Sequence, residues 1–550
     1  MAREAKQRSS MSRTASRDVI SRFEKAWGES LFYQARLRGP APDRLLFRPD
    51  DPFTPDKAFA LSFARGRFAL GEEIIDCEGE LDRMWELAGG SGAANAFLQE
   101  FSWLRHLAAL GADGAPIARL LMKGWLDRFE KWSPEAWDPY FTAERLTQLC
   151  VHAPLMLSNA DALWRSRVLT SMARQTRHLA HAAPRAGTGF ERLMTALGLC
   201  IAGHCLPGCE GPAARGMEMA RRELRLQLRA DGGHVSRNPS FQLKLSLRLK
   251  TVLKAMEARG FQAPGFLRHT LMRASAMALL FRCPDGRLAV FNGGYEDDGR
   301  AVLAVHDAVD PESAPTGFAR HSGYHKLATG RALLIADTGD DEGSRGFESA
   351  GSMHFSSGRG RIFVNCGNGE HRSKEWRKAL SRRAAHSALS FDGPTPAGPA
   401  FGAPAHRRAE EAKGLLLEFE RPILGMQSEN GLYIRRFFLA SGGGDLRGEE
   451  LLAGVSQDVL GAAVWRFHLH PSVKASLARD GRSVILLLSN KEGWRFKSNC
   501  AELRLEKSVY CGEGGAPVAG EQIIMRARDL GDCKNDAAAA KWALRRQDAV

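Results

Sequence analysis

An α-helical half joined to an antiparallel β half is the fold class that this 550-residue sequence implies. Two textures and one length argument carry it. From about Phe97 to Arg282, apolar residues recur at three- and four-residue steps between short breakers, the pattern of amphipathic helices. After about Asp310, short β-rich runs alternate with turn signals and no helical stretches separate them. A chain this long exceeds one ordinary core, so two or three domains are expected.

The helical half reads in order. "FLQEFSWLRHLAALGADGA" is expected to form one helix ending at its glycines, followed by "PIARLLMKGWLDRFEKW" and "FTAERLTQLCVHAPLML". "DALWRSRVLTSMARQTRHLAHA", "GFERLMTALGLCIAGHCL" and "PAARGMEMARRELRLQLRADGG" come next; in the last, Met217, Ala220, Leu224 and Leu228 draw one apolar face. Links this short make neighbouring helices antiparallel, and helical pairs without strands suggest a toroid or a solenoid, although no crisp repeat is present. "FQLKLSLRLKTVLKAMEARGF" alternates at Leu243, Leu245, Leu247 and Leu249 as a strand would. Leu245, Leu249, Val252 and Met256 also fit a helix, and ~20 residues is too long for a typical strand, so a helix is expected.

In the second half, "DPESAPTG" from Asp310 has the composition of a linker. "YHKLATGRALLIADTG", "GRIFVNCG", "HSALSFDG", "RSVILLLSN", "AELRLEKSVYCG" and "EQIIMRA" predict strands of an antiparallel sandwich or barrel. "DGPTPAGPAFGAPA" between two of them reads as a long loop at a sheet edge. The expected domains are a basic tail and leading segment over 1–95, a helical domain over 96–310 and a β domain over 311–550.

The net charge of +14 admits a merely basic surface or a polyanionic partner, nucleic acid or acidic polysaccharide. Zinc-finger spacings and RNP-like segments are missing, and no Lys/Arg cluster follows the first twenty residues, so no nucleic acid is expected. No apolar run reaches the length of a membrane span. The start, "MAREAKQRSSMSRTASRDVISRFEKAW", has no apolar core or cleavage site of a secretory signal. Ten cysteines are scattered along the chain, and the cluster Cys200 to Cys209 around His204 does not match zinc spacing. Buried, reduced thiols and a cytoplasmic location are the expectation.

Several segments together resemble the heparinase II/III-like family of polysaccharide lyases: "FSWLRHLAALG", "DGGHVSRNPS", "LAVFNGG", "HSGYHKL", "FSSGRGRIFVNCG", "RRAAHSALSFDG" and "VWRFHLHPSVKA". The resemblance runs from about residue 95 to the end. It implies an incomplete α/α toroid followed by an antiparallel β-sandwich, with an acidic polysaccharide or oligosaccharide held in a cleft. It also implies β-elimination at a uronic acid, without a required cofactor, and a periplasmic or cell-envelope location as the alternative to the cytoplasm. In such a reaction a donor must take up charge on the uronate carboxylate, a base removes the C5 proton and an acid protonates the departing O4. The family uses an Asn or His for the first task and a Tyr with a His for the others.

Carried onto this chain, the catalytic candidates are Asn238, Tyr295 and His386. Asn238, before Pro239 and Ser240, is also read as a helix N-cap, and the two roles are compatible because a helix start welcomes an anion. Tyr295 in "FNGGYEDDG" reads locally as a turn residue, and His386 as a strand histidine facing the core. His234, Arg237, His321, Tyr324 and Arg383 are candidates for substrate binding. His468 and His470, at period-two spacing in "FHLHP", are weak metal candidates with no visible third or fourth ligand; some lyases of this kind hold a structural divalent metal in the sandwich. One segment departs from the family: where relatives often carry a His-Asp-Gly-Tyr-like stretch, this chain reads "ENGLY", Glu429 to Tyr433, with no histidine. Two other function classes stay open. A toroid glycosidase would use a carboxyl pair, for which "YEDDG" offers Glu296, Asp297 and Asp298, although acidic triplets in glycine-rich turns are usually solvated. A non-catalytic envelope-polysaccharide binder would need none of this chemistry.

Overall fold

The structure, a computed structural model, describes residues 26–28, 30–87, 92–309, 317–339, 346–370, 372–392, 400–401, 405–424, 431–530 and 537–547. The basic stretch 1–25, the linker residues 310–316, most of the loop within 392–405 and Glu429 therefore lie outside the described residues. The chain divides into two compact units, residues 1–227 with 248–265, and residues 228–247 with 266–550.

The first unit is built mainly of helices. Its long members are Gly114–Phe129, Pro139–Val151, Ala162–Ala182, Phe190–Cys205 and Glu210–Gln227. Two of them start at a side-chain cap: Asp138 accepts hydrogen bonds from the backbone of Tyr140 and Phe141 ahead of Pro139, and Asp161 accepts one from Trp164. The described cysteines are buried, and no disulfide joins any two of them. Ahead of these helices, Leu31–Arg36, Lys57–Ala64 and the hairpin of Arg67–Leu70 with Glu73–Asp76 form elements for which the sequence shows no long apolar period.

Two expected helices are each broken. "FLQEFSWLRHLAALG" takes in the end of Ala93–Gln99 and all of Trp103–Ala108, parted at Phe101, whose φ is +59°. The Phe101 ring is fully buried, 5.0 Å from Trp103 and edge-on to Trp125 at 5.7 Å. Burying an aromatic ring among others outweighs the ~1–2 kcal/mol cost of one left-handed residue. "FTAERLTQLCVHAPLML" is parted at His152, just before Pro154, which has no N–H to continue the ladder.

The ambiguous leucine stretch is helical, Pro239–Ala258. Leu243, Leu245, Leu247 and Leu249 are all buried, so the helix is covered on more than one face. That is why its sequence lacks a clean helical stripe.

The second unit contains, among the described residues, two nine-stranded antiparallel sheets. The first runs in the order Arg504–Tyr510, Val518–Arg526, Ala463–Leu469, Gly360–Val364, Met353–Ser357, Ala332–Asp337, Tyr324–Thr329 and Phe318–Ala319, with Leu389–Phe391 beside Ala463–Leu469. The second is centred on Leu432–Ala440, Asp445–Ala453 and Ala537–Arg546. One core joins them: Phe355 packs edge-on to Trp494 at 5.7 Å, and Phe467 to Trp542 at 5.1 Å. Leu432–Ala440 alternates buried and half-buried residues, as a strand covered on one face does, whereas Ala332–Asp337 is buried throughout. The segment 288–293 covers part of the outer face of the first sheet. Arg361 donates to the Leu288 carbonyl, Asn365 to that of Val290 and Asn368 to that of Gly293. This segment leads directly into Tyr295.

Gly448 lies opposite Trp542 in the second sheet, and a Cβ at 448 would fall 2.1 Å from the indole. Gly448→Ala is therefore expected to lower stability by ~1–3 kcal/mol through overpacking, read as a lower urea midpoint with unchanged slope. An unchanged midpoint would mean that the ring is free to move.

Candidate active site

The stretch "DGGHVSRNPS" is a tight turn pinned at both ends. Gly232 has φ +86°, and a Cβ there would lie 2.5 Å from the Arg273 carbonyl, so only glycine fits. Asp231 accepts hydrogen bonds from the backbone of His321 and Ser322 and from the Ser322 hydroxyl. His234 is buried, with Nδ1 2.7 Å from the Ser236 hydroxyl and its backbone N–H on the Gln242 amide oxygen.

Arg237 is a structural cation. Its φ is +56°, its guanidinium is fully buried against the Asp337 carboxylate, and its Nε donates to the Ser322 carbonyl at 3.0 Å. The Tyr324 ring lies 4.9 Å from the guanidinium, and the Tyr324 hydroxyl donates to the Arg237 carbonyl at 2.8 Å. Asn292 donates to the Tyr324 hydroxyl at 2.6 Å and accepts from Ser349 at 2.5 Å. The expectation that Arg237 and Tyr324 face substrate thus meets a buried network that already engages both. His321 is exposed, but its backbone is held by Asp231 and Arg229.

Asn238 caps the helix that starts at Pro239. Its Oδ1 accepts from the Ser240 and Phe241 backbone at 2.9 and 3.1 Å, which fixes the direction of its amide. One Nδ2 hydrogen goes to the Asn292 carbonyl at 3.0 Å; the other has no acceptor among the described residues. Ser240 then brings Tyr295 to the same helix start. The Tyr295 backbone N–H donates to the Ser240 hydroxyl at 2.8 Å, and that hydroxyl donates to Asp297 at 2.5 Å. Tyr295 is half-buried. Burial, with the carboxyl groups of Glu370 and Asp297 nearby, pushes its phenol well above the ordinary range and keeps it a proton donor at neutral pH.

His386 is not in direct contact with this pair. It is fully buried, and neither ring nitrogen has a hydrogen-bond partner among the described residues. Burial, with His468 and Arg383 close by, holds its imidazole down to about 3. The Phe347 ring lies edge-on to His386 at 6.5 Å, and a Cβ at Gly293 would come within 2.3 Å of the same ring. Arg383 is buried, donating to the Ala350 carbonyl.

His468 and His470 do not share a site. His468 binds the Ser508 hydroxyl and the Ala384 carbonyl. His470 Nε2 lies 3.3 Å from Glu296, and with Glu513 these two form the cluster whose donor atoms sit close enough to hold a metal. The fit is poor: Glu296 already accepts from Tyr510 at 2.6 Å, with Arg361 at 3.6 Å and Arg287 at 3.3 Å, and these cations disfavour a third.

The acidic triplet is not a solvated turn. Burial alone would raise Glu296, but His470, Arg361 and Tyr510 together hold it down to about 2. Asp297, with φ +55°, is half-buried; burial and Asp298 push its carboxyl up to about 7 against the Ser240 hydrogen bond. Asp298 caps the short helix Gly299–Leu303. Sequence reasoning missed Ser240, Asn292, Asp337 and Phe347, and the one local signal was Ser240 following a cap and a proline. At Tyr433 the departing "ENGLY" segment enters a strand, its hydroxyl donating to the buried Glu450 at 2.5 Å.

Because Asp297 titrates near 3.8 when unfolded and near 7 when folded, the folded state holds the extra proton between those values. Stability should then fall as pH rises from about 4 to about 7 and level off above. Asp297→Asn is expected to remove this component, bringing urea midpoints at about pH 5 and about pH 8 closer together than in the parent. An unaltered gap would assign the proton to another group.

Residues 311–543 match the family described as Heparinase II/III-like, C-terminal. FtsZ-localized protein C of Caulobacter vibrioides is 28% identical over 547 residues, covering 93% of this chain and 92% of that one. Among solved structures, that of Heparinase III aligns over 97% of this chain and 91% of its own with a TM-score of 0.69. Heparan sulfate lyase HepC from Pedobacter heparinus aligns over 98% and 91% with a TM-score of 0.55. Both are 13% identical, a likeness of fold: a helical region followed by antiparallel β-sheets.

Proposed function

We propose that this chain, whose residues 311–543 match the heparinase II/III-like family, is a polysaccharide lyase that cleaves an acidic, uronate-containing chain by β-elimination at Asn238 and Tyr295. The observation that carries this reading is the hydrogen-bonded cluster at one helix start. Asn238 offers an amide hydrogen there, and Ser240 fixes the residue that bears a protonated phenol. A uronate carboxylate is favoured at such a position by the helix N-terminus and the amide together. As the C5 proton leaves, negative charge builds on the carboxylate, and the Asn238 N–H is the group that stabilises it. The Tyr295 hydroxyl, kept protonated, delivers a proton to the departing O4 as the C4–O4 bond breaks. His386, a buried neutral imidazole beside the Phe347 ring, is the group assigned to accept the C5 proton.

A second reading is favoured by the match to FtsZ-localized protein C along nearly the whole of both chains. In it, the fold serves as a non-catalytic binder of an envelope polysaccharide, and His386 stays buried without a catalytic role.

The deciding experiment incubates the protein with a panel of uronate polymers and follows ultraviolet absorbance from an unsaturated product. The lyase reading expects absorbance that Tyr295→Phe reduces ~10²–10⁴-fold while polymer binding stays near that of the parent. Reducing ends without absorbance would indicate a hydrolase. Binding with neither would move the second reading ahead.

A further inference from the structure

The first unit contains a cavity of about 580 Å³, within the size range of sites that hold small ligands. Its floor is aromatic and rigid. The Tyr33 hydroxyl donates to His178 Nδ1 at 2.7 Å, and His178 Nε2–H donates to the Trp137 carbonyl at 2.8 Å. The imidazole stands edge-on to the Trp137 and Tyr33 rings, at 5.0 and 6.1 Å. Burial holds His178 down to about 3, so this neutral arrangement persists at physiological pH. On the wall, the Trp132 indole sits where a side chain at Gly28 would be, 2.3 Å from an added Cβ, and Trp27 beside it is 39% exposed.

The rim is cationic. Arg36, His181 and Arg185 all line the cavity, and Arg36 Nε lies 3.4 Å from His181 Nε2. Burial, then Arg36, Arg215 and Arg185, push the His181 imidazole down, a sign of like charge crowded together. Asp138 is the one carboxylate among the described lining residues, and it is engaged in capping the helix Pro139–Val151.

Indole faces are electron-rich and pack against the C–H face of a pyranose, while guanidinium groups bind a carboxylate in a planar, bidentate fashion. We infer that this cavity is a binding site for a single uronate residue of the polysaccharide, its ring on Trp27 and Trp132 and its carboxylate on Arg36 and Arg185. The site is built wholly from the first unit and contains none of the groups assigned to elimination. The choice of a uronate rests on the function proposed above.

The test uses the full chain labelled with fluorotryptophan, read by fluorine NMR, with the Trp27 and Trp132 resonances assigned from Trp27→Phe and Trp132→Phe. The probe is methyl glucuronide, with methyl glucoside as the neutral control; neither carries a glycosidic leaving group at O4. Saturable shifts of both resonances with the glucuronide are expected. The double variant Arg36→Gln, Arg185→Gln, which changes exposed side chains, should raise the half-saturation concentration about tenfold, the loss of a charge-assisted contact. Equal shifts with the glucoside, no shift, or an unchanged midpoint in the double variant would overturn the site. Polymer cleavage without these shifts would overturn this site alone. Shifts without any unsaturated product would support the site and count against the lyase reading.

Discussion

The ion pair between Arg237 and Asp337 is the constraint on which the candidate site depends. Both side chains are fully buried. Removing either partner would strand a charge in the interior at a cost of ~3–5 kcal/mol. The pair ties the turn ahead of Asn238 to the end of the strand Ala332–Asp337, and it supports the left-handed backbone at Arg237 that directs the chain into the next helix. Asn292 and Tyr324 join the same network, so the segment leading to Tyr295 is held by the groups that hold Asn238. The cap and the phenol are positioned together because one buried charge pair fixes both approaches.

Around that fixed frame, neighbouring groups are driven to opposite protonation states. Glu296 and Asp297 are adjacent in sequence, yet Glu296 is held at about 2 by cations and hydrogen bonds while Asp297 rises to about 7. Tyr295 before them stays protonated, and His386 stays neutral. Separated proton affinities in one small region are what acid–base chemistry requires. The groups also differ in access, since Tyr295 is half-buried whereas His386 is sealed beside Phe347.

Local pattern made the architecture legible. The change from helical period to short strands placed the helices and sheets in the right order, and the long leucine stretch resolved as a helix on its length and on the helical spacing of Leu245, Leu249, Val252 and Met256. Asn-Pro-Ser identified the cap at Asn238 because capping is a local event. What local pattern could not show were partners far away in sequence. Arg237 looked like an anion receptor because Asp337 is 100 positions on. Tyr324 looked like a site tyrosine because its acceptor, the Arg237 carbonyl, carries no sequence signal. Phe101 broke an expected helix through contacts with Trp103 and Trp125, and the acidic triplet was expected to be solvated because Arg361, His470 and Tyr510 lie elsewhere in the chain.

The proposed elimination requires a proton to leave C5 of a uronate held at Asn238 and Tyr295. It is tested most directly by incubating a uronate oligosaccharide with the protein in heavy water and following the C5 protons by NMR. Elimination predicts loss of the C5 signal at the cleaved residue with formation of a double bond between C4 and C5. A bound oligosaccharide that keeps every C5 proton would contradict it.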